Sequence, residues 1–289
     1  MGGRLVLPGW GARSGGFYVI SVGAITKRAN DERMPAQTIE RDYVLAHVCS
    51  EVGAAAEQRL IFKGGTLLRF CYFNSYRHSA DLDFSVVAGF SRGQALELVG
   101  EAVTACRKRL ELPHIELTLE DGNTSWITYV GPLRSQQRKL KLDISDSELV
   151  ESHKRLGLFP LWPDLPEGAA IEGYTLGEVG AEKIRSVTQR SQCRDLFDLH
   201  ELLEGAYIDP LEVWDLYRRK VTHDIGRGNQ RVPPGRWADA FENRLVSYRA
   251  RWEREMGNYL ADVPPFDGIE RRIRRHLVAL IDAARRLGD

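Results

Sequence analysis

Lys63-Gly-Gly-Thr-Leu-Leu-Arg69 and, a short spacer later, Arg77-His-Ser-Ala-Asp-Leu-Asp83 decide the reading of this chain. Arg59-Leu-Ile-Phe-Lys63 has the character of a short strand. Gly64 and Gly65 break it, and Thr66-Leu-Leu-Arg-Phe-Cys71 starts a helix. Glycines at that junction let backbone approach a phosphate, and a helix N-terminus offers unpaired N–H groups. On its own a glycine pair is most often only a turn. The second stretch adds more. Over residues 81–87 the pattern alternates, so Asp81, Asp83 and Ser85 share one face of a strand and Leu82, Phe84 and Val86 the other. Neighbouring carboxylates repel unless a cation lies between them. A hard divalent ion, Mg²⁺ (or Mn²⁺), takes oxygen ligands and bridges carboxylates to phosphates. An isolated Asp-x-Asp is more often a solvated edge.

A third acid lies further on. Lys139-Leu-Lys-Leu-Asp-Ile-Ser145 also alternates, with Asp143 on the polar face beside Lys139 and Lys141. Alone it reads as a surface ion pair. Beside Asp81 and Asp83 in one sheet it would complete a three-carboxylate metal site. Metals there activate an attacking hydroxyl and stabilise leaving pyrophosphate.

Outward from this segment, Tyr43, Val44, Val48 and Val52 recur at helical spacing from Thr38, the expected N-cap, to about Glu57. A helix is expected over Ser91–Leu110, and strands over His114–Glu120, Ser125–Val130 and Lys139–Ser145. After Val150 a loop broken by Pro160, Pro163 and Pro166 gives way to helices near 176–190, 194–204, 210–222, 236–260 and 268–287. Thr175-Leu-Gly-Glu178 has the form of a capping box. The expected fold class is therefore α+β, a small mixed-sheet lobe followed by a mostly helical C-terminal lobe. The expected division is 1–36, a poorly defined N-terminal extension; 37–150, the catalytic lobe; and 151–289, the helical lobe.

The 289 residues are 43% apolar and 28% charged, with a formal net charge of zero. That suits a soluble globular protein. No apolar run approaches the ~20 residues a membrane span needs, and the glycine-rich start has no apolar core of a signal peptide. Cys49, Cys71, Cys106 and Cys193 form no CxxC pair, which fits idle thiols in the cytoplasm. A monomer is the default expectation. Residues 218–254 hold ten Lys/Arg against four Asp/Glu, a local excess that can steer a polyanion or simply coat helix faces.

Taken together, Gly-Gly, Asp-x-Asp and a later strand Asp resemble the polymerase-β-like nucleotidyltransferase superfamily. Phe62-Lys-Gly-Gly-Thr-Leu-Leu68 with Arg77-His-Ser-Ala-Asp-Leu-Asp-Phe84 is similar, more closely, to the AbiEii/MenT-type nucleotidyltransferase toxins. The likeness spans about Thr38 to Leu203. That branch also carries a lysine helix and an Arg-Asp-x-x-Asp segment, matched here by Glu182-Lys183-Ile-Arg185 and Arg194-Asp195-Leu-Phe-Asp198. The resemblance implies metal ligands Asp81, Asp83 and Asp143. It implies catalytic roles for Asp81, Asp83, Lys183 and Asp198. Nucleotide contacts would come from Lys63, Gly64, Gly65, Thr66, Arg77, Ser79, Lys183 and Asp195. The residues themselves support Lys183: Val179, Lys183 and Val187 are four apart, so the lysine sits on an apolar stripe and must snorkel or meet an anion. Asp195 and Asp198 share a helix side and equally suit a helix–helix ion pair.

Ser79 is expected at the rim of the site. Its phosphorylation would add about −1.5 to −2 charges beside the carboxylates and switch the enzyme off. The resemblance also implies an NTP substrate, a cognate antitoxin and an RNA acceptor, the tRNA 3′ end first. Arg218, Arg219, Lys220, Arg227, Arg231 and Arg236 would then grip phosphates. Trp214, Tyr217 and Trp237 among them stack a base or, more ordinarily, fill the core. The alternatives are a small-molecule (antibiotic-type) nucleotidyltransferase and an idle RNA- or partner-binding relative.

Overall fold

The computed structural model describes residues 20–120 and 124–288. The glycine-rich start, where no signal-peptide core is expected, lies outside them. In chain order the described residues form α1 (Val22–Glu32), α2 (Ala36–Ala56), β1 (Leu60–Lys63), α3 (Gly64–Leu67), β2 (Asp81–Val86), α4 (Arg92–Leu110), β3 (His114–Glu120), β4 (Thr124–Val130) and β5 (Arg138–Ser145). Then come β6 (His153–Gly157), β7 (Ala170–Tyr174), α5 (Leu176–Gln189), α6 (Cys193–Glu204), α7 (Pro210–Gly226), α8 (Trp237–Met256) and α9 (Phe266–Arg286).

The strands make one mixed sheet in the order β3-β4-β5-β2-β1-β7-β6. The pairs β2/β5 and β1/β7 are parallel, and the others antiparallel. β1 and β2 sit in the middle. Leu60, Ile61 and Phe62 of β1 are all buried, as a strand covered on both faces requires. Leu82 and Phe84 of β2 point into the core, with Phe84 packed on Phe62 at 5.2 Å between ring centroids. α2 and α4 pack together beside the sheet, and α5 packs on β7 and gathers α6, α7 and α8. The mixed sheet with helices is the expected fold class.

Several local expectations change. α1 forms where no periodicity is legible. α2 starts at Ala36 with Pro35 at the cap position, so Thr38 lies in the first turn and caps nothing. β6 and β7 fall in the stretch read as proline-broken loop. β6 is a basic, exposed edge strand, His153-Lys-Arg-Leu-Gly157, whose charges protect the edge and hide the alternation. Of the capping box only half forms. Thr175 accepts the Glu178 N–H at 3.3 Å, but the Glu178 carboxylate accepts the Ser152 N–H at 3.1 Å and pairs with Lys220. Trp214, Tyr217 and Trp237 are buried in the helical core, Trp237 stacked on Phe241, so none is placed to stack a base. All four cysteines are free thiols.

Candidate active site

Register places the carboxylates. Asp83 of β2 lies directly opposite Asp143 of β5, and on its other side opposite Lys63 of β1. Asp81 is two residues back, on the same face, opposite Lys141. One row across three strands thus reads Lys63, Asp83, Asp143. The alternating pattern of each strand anticipates this face; only the sheet order makes the three acids neighbours.

The glycine turn is shaped by this row. Gly64 has φ 79°, and a Cβ there would sit 2.5 Å from Asp83 Oδ2. A Cβ at Gly65 would collide with the Arg77 guanidinium. Both positions need glycine, one for its backbone and its neighbour, the other for close approach. The Thr66 hydroxyl is buried and can donate either to the Asp81 carbonyl or to Ser79 Oγ, each at 2.6 Å. It ties the turn to the start of β2 and does not face the cleft. Ser79 is likewise buried, not at the rim, because it lies beneath that turn. The cleft beside the row is lined by Lys63, Gly64, Asp83 and Asp143 from the sheet side and by Glu182, Lys183, Ser186 and Arg190 from α5 and its end.

Lys183 is buried and held by two carboxylates, Asp195 at 2.8 Å and Asp198 at 2.7 Å. The apolar stripe therefore carries it to an anion pair, not out to solvent. Asp198 has 0% exposed side chain and receives two bonds from Arg77 at 2.6 Å and one from the Tyr76 hydroxyl at 2.9 Å. Asp195 also accepts from Arg190 at 2.8 Å. Asp195, Asp198 and Arg77 therefore lie behind Lys183. Burial pushes both carboxyls up, but the facing cations win, Lys183 and Arg190 at Asp195, Arg77 and Lys183 at Asp198; both stay below the usual range.

Asp83 behaves oppositely. Burial, then the charges of Asp81 and Asp143, push its carboxyl up to about 6 despite Lys63 and Arg194. Asp81 is engaged elsewhere, paired with Arg194 at 2.8 Å, and Arg194 also donates to the Tyr259 hydroxyl at 3.1 Å. With Asp81 turned that way, no three His, Cys, Asp or Glu side chains among the described residues stand together as a ready metal site. The donor chemistry nonetheless fits a hard divalent ion: three carboxylates on one sheet face, two of them directly opposite each other across β2 and β5.

The sequence reading missed Glu148, Arg190 and Tyr76. Glu148 follows β5, pairs with Lys63 and accepts the Ser85 hydroxyl at 2.8 Å. It sits in an irregular loop, where no period exists to flag it. Lys220 is buried between Glu178, at 2.5 Å, and Glu182, at 3.0 Å, and unlike Lys183 it does not line the carboxylate cleft. Arg231 is paired with Asp224 at 2.6 Å, and Arg219 with Glu151 at 2.8 Å.

A buried-lysine helix thus faces strand carboxylates beside a glycine turn. The family model "Nucleotidyl transferase AbiEii toxin, Type IV TA system" matches residues 50–274, and the chain belongs to that family. No curated protein matches it. Among solved structures it is similar to MenT4, a nucleotidyltransferase toxin from Mycobacterium tuberculosis H37Rv, with TM-score 0.68 and 20% identity over 91% of this chain and 90% of that one. It is also similar to JHP933 from Helicobacter pylori, with TM-score 0.54 and 15% identity over 88% of this chain and 94% of that one. These likenesses speak to the fold. No helix among the described residues is long and apolar enough to cross a membrane.

Proposed function

We propose that this nucleotidyltransferase toxin moves a nucleoside monophosphate from an NTP to an RNA acceptor, first of all the 3′ end of tRNA, releasing pyrophosphate. The observation that carries the reading is the facing of Asp83 and Asp143 across one strand pair, with Gly64 at the edge and Lys183 across the cleft. Asp81, Asp83 and Asp143 would hold Mg²⁺ or Mn²⁺, once Asp81 is free of Arg194. A bound ion there supplies charge neutralisation at the α-phosphate and favours the ionised acceptor hydroxyl.

The chain's own residues do the rest. Lys63 and Lys183 meet phosphate charge from two sides of the cleft. Gly64 leaves room for an oxygen to approach the backbone. Asp195 and Asp198 hold Lys183 in place, and Arg77 holds Asp198, so the cation is positioned before substrate arrives. In domain terms, 37–150 carries the carboxylates and Arg77, while 151–289 adds β6 and β7 to the same sheet before its helices supply Lys183, Asp195 and Asp198. A cognate antitoxin, a cytoplasmic setting and a monomeric state belong to the same reading.

Mass spectrometry of tRNA 3′ fragments after incubation with the protein, NTPs and Mg²⁺ tests it. Growth of the fragment by whole nucleotide residues is the expected result. Unchanged tRNA with consumed NTP would point to a small-molecule acceptor.

A further inference from the structure

A second cleft lies beyond the opposite end of β5 from Asp143. Thr38 and Arg41 of α2 meet Tyr129 of β4 and Gln137, Arg138 and Lys139 around it. It shares no lining residue with the cleft of the carboxylates. Arg138 precedes Asp143 by five positions on one strand, about 16 Å at ~3.3 Å per residue.

Among the described residues, three polar atoms there are buried without a well-aligned hydrogen bond: Arg41 Nε, the Tyr129 hydroxyl and Arg138 Nε, the last only 3.4 Å from Glu40 Oε2. Tyr129 itself is 1% exposed. Buried donors nearly always find an acceptor, so three around one cavity ask for a ligand that supplies several. The nearby acids do not answer them all. Glu40 stands 3.4 Å from Arg138 and accepts the Leu133 N–H at 2.7 Å, while Glu120 pairs with Lys139. Among the described residues no carboxylate is paired with Arg41. Several donors and a surplus cation suit a tetrahedral oxyanion, whose oxygens accept from different directions.

We propose that this cleft binds a phosphoryl group. Its source is a backbone phosphate of the acceptor strand, on the RNA reading above, or free inorganic phosphate. By the alternation of β4 and β5, Arg138 and its cross-strand partner Tyr129 lie on the opposite sheet face from Lys141 and Asp143, so this cleft is separate from the carboxylate face, with Lys139 at its edge.

The test uses the full-length Asp81→Ala protein, so that binding is read without turnover. Inorganic phosphate is titrated by calorimetry, and a fluorescein-labelled single-stranded oligoribonucleotide by anisotropy. Each is repeated with Arg41→Gln and with Tyr129→Phe added. The latter removes only an unpartnered hydroxyl and leaves the packing intact. Loss of a charged donor is expected to weaken binding about tenfold, and loss of the hydroxyl about threefold. A change for the oligonucleotide identifies a strand phosphate; a change for inorganic phosphate alone identifies the free ion. Equal affinities in all three proteins for both ligands would overturn the proposal. Because no transfer is measured, failure of the RNA-transfer reading would leave this result standing.

Discussion

Replacing Arg77 by methionine removes both guanidinium bonds to Asp198 and leaves that buried carboxylate with Lys183 and Tyr76 alone. Breaking a buried pair from one side costs about 3–5 kcal/mol, and urea unfolding should show a loss of that size. A loss under ~1 kcal/mol would mean the pair is not held as described. Asp83→Asn acts in the other direction. It removes one of three crowded carboxylates, so the protein in EDTA should melt a few degrees higher while nucleotidyl transfer disappears. A lower melting temperature in EDTA would contradict the crowding. The residues of this row were legible from period-two patterning alone, because strand alternation is a local property. The burial of Ser79, Thr66 and Lys220 was not, since it depends on which elements close over them.

Among elements, α6 is joined to α5 and the turn before β2 by ionised groups. The carboxyls of Asp195 and Asp198 lie below their ordinary values, as does Asp42 of α2 beside Arg69. Burial opposes each of these shifts and the facing cations outweigh it. A carboxyl with a lowered folded pKa binds fewer protons folded than unfolded. Its contribution is therefore complete above the unfolded value of about 4 and drains away as pH falls below it. The urea midpoint should rise slightly from pH 7 to 5.5, as the raised Asp83 carboxyl takes up its proton, and drop steeply under pH ~4. A midpoint unchanged at pH 3.5 would refute this. Long periodic helices such as α4 and α5 were legible in the sequence; β6, β7 and α1 were not. β6 is a charged edge, and α1 is short and mostly exposed, so neither shows a clear apolar face.

For the molecule as a whole, the order β5-β2-β1 brings a carboxylate from residue 143 beside those at 81 and 83, and the helical half lays Lys183 over them. Sequence pattern supplied each strand's faces but not this order. It came into view beforehand only through the family resemblance. The family match places nucleotidyl transfer on this chain, and the acceptor is the step beyond it. If RNA is that acceptor, transfer should weaken steeply with salt as counterions compete for the phosphates. A flat response between 50 and 300 mM salt would argue for a neutral acceptor.

The most direct measurement is incubation with each α-³²P-labelled NTP, Mg²⁺ and total tRNA, resolved on a denaturing gel beside an Asp81→Ala control. Label on tRNA with one or more NTPs, absent in the control, is the expected result. A folded protein that binds NTP and leaves tRNA unlabelled would contradict the claim that RNA is what this enzyme modifies.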